Sequence, residues 1–161
     1  MEAADSLVSA FCTPLSSATE VGYGYLYNGF AVRDERKICP SGWHVADNGD
    51  WFDLLYTGGS EPLSFASMNE GSGTALKSSS QDVPGWDGVN QFDFSALNAG
   101  GRYRHGAPVN WDSWYWSYAP SESEEIEPLP NWRFVSGSDG VFWGSDSPKI
   151  GGSVRCVRDY E

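Results

Sequence analysis

The sequence predicts an α+β fold, with one or two early helices and a small antiparallel sheet of short strands joined by long loops. Three observations carry this reading. One strong helix signal stands in the first third of the chain, and short alternating runs crowd the last third. The 161 residues also hold 19 glycines beside 8 Trp, 8 Tyr and 8 Phe. That many glycines and aromatics, with so little long periodicity, favour short strands and loops over a helical bundle. The length suits one domain, and at 40% hydrophobic residues the chain has enough apolar material for a core.

Residues 1–21 read as an N-terminal extension and 22–161 as the domain proper, with its termini close together. Tyr23, Tyr25 and Tyr27 alternate with Gly24 and Leu26 and lead into Phe30-Ala31-Val32, the pattern of a strand or hairpin arm. A charged turn, Arg33 to Lys37, follows. The helix comes next: Asp47 or Asn48 caps it, Asp50 suits its first turn and Gly58 closes it. Trp51, Leu54 and Leu55 share one face, which is expected in the core. A weaker helical piece covers Gly73 to Ser78. Later, Trp111 to Tyr118 sets Trp114, Trp116 and Tyr118 on one face if it is extended. Strand candidates follow at Trp132–Val135 and Val141–Trp143, and an alternating terminal strand runs from Ser153 to Arg158. Residues 136–140 form a turn between two of them.

The charge excludes one class of partner. Ten basic against 22 acidic residues give a net −12, which argues against nucleic acid, whose phosphates reward Lys and Arg clusters. Solubility explains the charge; a divalent cation or a basic partner is the alternative. Glu122, Glu124, Glu125 and Glu127, interrupted by Pro120, Pro128 and Pro130, read as a solvated loop. No apolar run is long enough to span a bilayer, so no membrane insertion is expected. The opening residues do not read as a secretory leader, because Glu2 and Asp5 replace a basic start and the apolar stretch Leu7 to Cys12 is short. Cys12, Cys39 and Cys156 form no CxxC or Cys/His cluster, which leaves zinc without ligands.

Catalysis has little to stand on. No Gly-x-Ser-x-Gly elbow, Walker loop or His-Glu-x-x-His is present. His44 and His105 lie in unrelated motifs, and His44 reads as a hydrogen-bonded structural residue. The main functional clue is aromatic: Trp111, Trp114, Tyr115 and Trp116 cluster within six residues. Trp and Tyr give large contact area for little lost entropy, which suits protein interfaces and sugar-stacking platforms; core packing is the competing use. Trp111, Trp114 and Trp132 are expected to be exposed, and Trp43, Trp51, Trp86 and Trp116 to be core.

A resemblance sharpens this picture. Tyr23-Gly24-Tyr25-Leu26-Tyr27-Asn28, then Ala31-Val32, then Cys39-Pro40-Ser41-Gly42-Trp43-His44-Val45 with Trp51, resembles the Fibrobacter succinogenes major paralogous domain family. Leu76-Lys77, Trp86, Phe94-Ser95-Ala96-Leu97 before Gly100-Gly101, Trp116-Ser117 and Ser153-Val154-Arg155-Cys156-Val157 fit it in order. The likeness covers about Gly22 to Asp159. Departures fall at Gly29-Phe30, at Ala119-Pro120 and in the segment 120–131.

The resemblance implies a C-type-lectin-like domain of an extracellular, cell-surface or phage-virion protein. The chain is also similar to the variable proteins of diversity-generating retroelements, in which the segment corresponding to about 102–150 is the diversified one. Such a fold brings Cys39 and Cys156 together, as a disulfide or as two buried thiols; Cys12 is expected to be unpaired. Calcium-dependent sugar binding in this fold uses Glu-Pro-Asn or Gln-Pro-Asp with Trp-Asn-Asp; here Glu127-Pro128 precedes Leu129, and Asn110-Trp111-Asp112 has another order. No sugar-bridging calcium and no cofactor is expected, although a structural cation near Asp139 or Asp146 stays open. The oxidases of a related fold need two reactive cysteines, and only Cys12 remains for that role.

The expected binding residues are Tyr103, His105, Asn110, Trp111, Asp112, Trp114, Trp132, Arg133, Asp139, Trp143 and Asp146. Their partner is a protein or glycan ligand on a cell surface. Three functions remain open: protein-ligand recognition by a variable module, calcium-independent glycan binding, and a structural or assembly role in a surface protein.

Overall fold

The computed structural model of the chain describes residues 12–14, 23–57, 63–64, 72–109, 111–120 and 127–160. The expected proximity of the termini, the cap at Gly58, Asn110 and the glutamates at 122, 124 and 125 lie outside these residues.

The architecture is α+β, with three helices and mostly antiparallel sheets among the described residues. Strand β1 (Cys12–Pro14) pairs with β2 (Tyr25–Asn28), so part of the N-terminal extension joins a sheet. On β2 the core takes Leu26 and Asn28, while Tyr25 is exposed. The alternation is real, but the tyrosines mark its outer face. The strand then ends sooner than the aromatic pattern suggests. The Asn28 side chain accepts the Ala31 N–H at 2.9 Å and caps a short helix, α1 (Gly29–Arg33). Capping outweighs the period-two reading of Phe30-Ala31-Val32, and Ala31 and Val32 are buried from a helix.

Strand β3 (Trp43–Val45) leads to helix α2 (Asn48–Thr57). The Asp47 carboxylate accepts the Asp50 N–H at 3.1 Å, and the Asp50 carboxylate accepts the Asp47 N–H at 2.9 Å. This reciprocal pair is a capping box built with Asp in place of Glu. Trp51 and Leu55 are sealed by the core and Leu54 packs at its edge. After β4 (Leu63–Ser64), helix α3 (Gly73–Leu76) is shorter than expected, because the backbone turns extended at Lys77.

The last half of the chain is β structure. A hairpin, β5 (Gly101–Arg102) and β6 (Pro108–Val109), precedes the meander β7 (Asp112–Trp116), β8 (Leu129–Val135) and β9 (Val141–Asp146). Two short strands, β10 (Gly151–Gly152) and β11 (Cys156–Arg158), close it. Three sheets result, ordered β1-β2-β10-β5-β6, β4-β9-β8-β7 and β11-β3, with β4 parallel to β9. Cys39 and Cys156 form a disulfide, Cα atoms 5.8 Å apart, beside the β3–β11 pairing.

Every residue of β7 is buried, because the strand lies between two cores. On one side Tyr115 packs with Trp51, Trp132, Phe134 and Val141. On the other, Trp114 and Trp116 pack with Val109, Leu129 and Ile150. This overturns two expectations: Trp114 is 3% exposed and Trp132 is 1% exposed. Both are framework. The face of β8 that carries Trp132 meets Trp51 of α2 in a stack at 6.0 Å, which buries the ring. Truncating a buried ring of this size costs about 3–5 kcal/mol, which makes such residues poor candidates for exposure.

Candidate functional site

Alternation along the meander sorts the expected site residues. Asp112, Trp114 and Trp116 share a face of the sheet with Asn131 and Arg133 through the pairs Trp114↔Arg133 and Trp116↔Asn131. Phe142 and Asp146 of β9 join that face through their pairing with Arg133 and Leu129. Trp132 and its cross-strand partner Trp143 lie on the opposite face. The structure therefore brings together six of the expected residues: Tyr103, His105, Asp112, Trp114, Arg133 and Asp146.

They form a ladder. The rings of His105 and Tyr103, from the β5–β6 hairpin, stack at 5.6 Å with planes 6° apart. Tyr103 meets the Trp114 ring edge-on at 5.5 Å. The guanidinium of Arg133 lies over the Trp114 ring at 4.4 Å and pairs with Asp146. Asn131 braces both, donating to Asp146 at 2.9 Å and accepting from Arg133 at 3.2 Å. Gly101 lets the hairpin lie flush on this ladder: a Cβ there would stand 2.7 Å from the Trp114 ring. Buried Trp114 is thus the floor, while Tyr103 and His105 are exposed and Arg133 and Asp146 partly so.

Asp112 anchors the floor from below. One carboxylate oxygen accepts the Trp114 indole N–H at 2.9 Å, and the other is buried without a partner. Burial pushes this carboxyl above its usual range, and the indole N–H and the Arg133 charge offset part of that push. Asp112 is buried and supports the Trp114 indole. Asp139 is exposed, but its carboxylate accepts the Thr74 N–H at 3.1 Å and its carbonyl accepts the Gly73 N–H at 2.8 Å. It caps α3 across the fold. Trp111 is 60% exposed at the entry to β7, and Trp143 is open on the far face.

Sequence reasoning missed Phe142 and Asn131. The i, i+2 spacing of Asn131 and Arg133 was the available signal for the second. It also misplaced Trp43, which is 42% exposed rather than core. Trp43 sits at the end of β3, opposite Arg158.

Beside it, His44 joins two elements, with Nδ1 2.7 Å from Asp159 and Nε2 3.0 Å from Asp50. The Asp159 hydrogen bond raises the His44 pKa above 6.5, partial burial opposes it, and Asp50 adds to the rise. A raised folded-state pKa means the clasp contributes fully below the unfolded value and is lost as pH rises through the folded value. His44→Gln should accordingly lower the melting temperature more at about pH 5.5 than at about pH 8.5. Equal losses at both would show that the imidazolium is not what holds the clasp.

Among the described residues no group of three or more His, Cys, Asp or Glu is placed to hold a metal, and no helix is long and apolar enough to cross a membrane. No curated protein and no solved structure matches the chain. A family profile does match: the Fibrobacter succinogenes major domain, over residues 5–158. With the match running over nearly its whole length, the chain belongs to the Fibrobacter succinogenes major domain family.

Proposed function

We propose that this chain is a non-catalytic binding domain of C-type-lectin-like fold that presents the ladder face of β7–β9 to a protein or glycan on a cell surface. The observation that carries this reading is the ordered array His105–Tyr103–Trp114–Arg133–Asp146, in which each group is held by its neighbour. Tyr and Arg with aromatic backing are the residue types that dominate binding energy at interfaces, and preorganisation lowers the entropy lost on binding. The hairpin loop and the β8–β9 edge carry the contacts while the double core stays rigid beneath them.

The disulfide supports an extracellular or virion setting, since oxidising compartments are where such bridges persist. Binding is calcium-independent on this reading, because Asp139 and Asp146 already have protein partners. The ladder also falls within residues 102–146, inside the stretch the resemblance marks as diversified, which favours a variable receptor-binding module.

The test exposes the immobilised chain to a glycan array and to a surface-displayed peptide library. The wild type should retain at least one probe, and the Tyr103→Ala, Arg133→Ala double variant should bind that probe about tenfold to a hundredfold more weakly. Equal retention by the two proteins would remove the ladder from the binding site.

A further inference from the structure

A second concave surface shares no residue with the ladder. A groove of about 510 Å³ runs beside α2 and β11, with Trp51 and Phe94 in its lining and Trp43, Asp93, Arg158 and Tyr160 at its open side. Trp43 also lines a neighbouring hollow of about 380 Å³, so its exposed ring stands between two concavities. Both volumes lie in the range of small-molecule sites, about 300–1,000 Å³.

Two features point to an occupant. Trp51 is buried and lines the groove, yet among the described residues its indole N–H, like that of Trp132, has no hydrogen-bond partner. A buried donor left without an acceptor is costly and rare, and an oxygen placed in the groove would satisfy it. Trp43 is the second feature: a large ring left open in a concave setting, while seven other aromatic rings among the described residues are sealed in the core.

The rim chemistry selects the class of occupant. Arg158 donates, Asp93 accepts and the Tyr160 hydroxyl does both. We propose that this groove binds a neutral saccharide of about disaccharide size, with a C–H face of one sugar ring stacked on Trp43. Its hydroxyls donate to Asp93 and accept from Arg158 and the Trp51 indole N–H. An anionic ligand is disfavoured by the net charge of −12. An apolar peptide side chain would desolvate the rim carboxylate and the Trp51 donor without pairing either. Sugar hydroxyls, which donate and accept at once, pair both.

The test adds cellobiose, maltose and lactose separately, each at ~10 mM to match weak sugar affinities, and reads saturation-transfer NMR and tryptophan fluorescence on the full chain. At least one disaccharide should bind the wild type. Trp43→Ala should weaken that binding about tenfold or more, and Trp43→Phe should keep part of it. Asp93→Asn gives a second reading, because Asn suits the left-handed backbone at φ 55 there and the change removes the acceptor charge. It too should weaken binding, even if Trp43→Ala fails to fold. Tyr25→Ala, exposed on β2 and outside the groove, should leave binding unchanged.

Three results would overturn the proposal: no disaccharide binds the wild type, the loss follows Tyr103→Ala instead of Trp43→Ala, or an acetylated Phe-Leu-Phe tripeptide binds through Trp43 while no disaccharide does. The second result would move the disaccharide to the ladder; the other two leave the ladder reading to its own variants.

Discussion

Replacing Cys39 and Cys156 together by alanine lowers the free energy of unfolding by about 4–5 kcal/mol in the chain-entropy view of cross-links. The bridge joins positions 117 residues apart, so it removes much of the freedom of the unfolded chain. At that end β11 is three residues long and pairs with β3 alone in its sheet. Other ties there include the His44–Asp159 contact and the Arg155 hydrogen bonds to the Phe94 and Ser95 carbonyls. A loss of this size is about a quarter or more of the stability of a typical domain, about 5–15 kcal/mol. Urea unfolding should show a lower midpoint for the double variant, and the wild type in reductant should shift similarly. The reductant arm matters because it keeps both side chains and breaks the cross-link alone. An unchanged midpoint in both arms would mean that pairing and packing hold β11 without the bridge.

Lys77→Met should cost about 3 kcal/mol, although methionine fills nearly the same volume. Lys77 is 1% exposed. Its ammonium donates to the Val135 carbonyl at 3.2 Å and the Ser138 carbonyl at 2.9 Å, and pairs with Asp87 at 2.7 Å. It also lies 5.2 Å from the centre of the Trp86 ring. Methionine leaves no cavity, so the loss comes from the polar groups left behind. The Ser138 carbonyl accounts for most of it, at about 1–3 kcal/mol for an orphaned group, while the Val135 carbonyl keeps the Ser138 N–H at 3.2 Å. Asp87 contributes less, being partly open to water, which screens the pair. Through those carbonyls Lys77 holds the turn between β8 and β9, the strands that carry Arg133 and Asp146. A loss below about 1 kcal/mol in urea unfolding would show that water replaces the ammonium there.

Local signals in the chain were readable, and cross-chain coverage was not. Helix α2 is legible because Asp47, Asp50 and the Trp51/Leu55 face all act within one stretch of sequence. Strands β8 and β9 follow from alternation in the same way. The short α1 was missed because one side-chain bond from Asn28 redirects a run whose aromatics read as strand.

Trp114 and Trp132 fail for a different reason. Alternation assigns a residue to a face but does not name what covers that face. Here the β5–β6 hairpin closes over Trp114 and α2 closes over Trp132. Trp43 is the converse, a strand residue paired at the end of β3 with Arg158 of β11 and left 42% exposed. The site was legible in its composition and partly in its membership: Tyr103, His105, Arg133 and Asp146 do converge. Their order in a ladder depends on strand register, which no pattern in the chain states.

The most direct measurement is hydroxyl-radical footprinting of the chain, free and bound to the strongest probe from the array or peptide library. Tyr103, His105 and Phe142 all react well with the radical and sit on or beside the ladder. The account requires their oxidation to fall in the complex while that of Tyr56, exposed on α2, stays constant. Equal oxidation of Tyr103, His105 and Phe142 in the free and bound chain would contradict it.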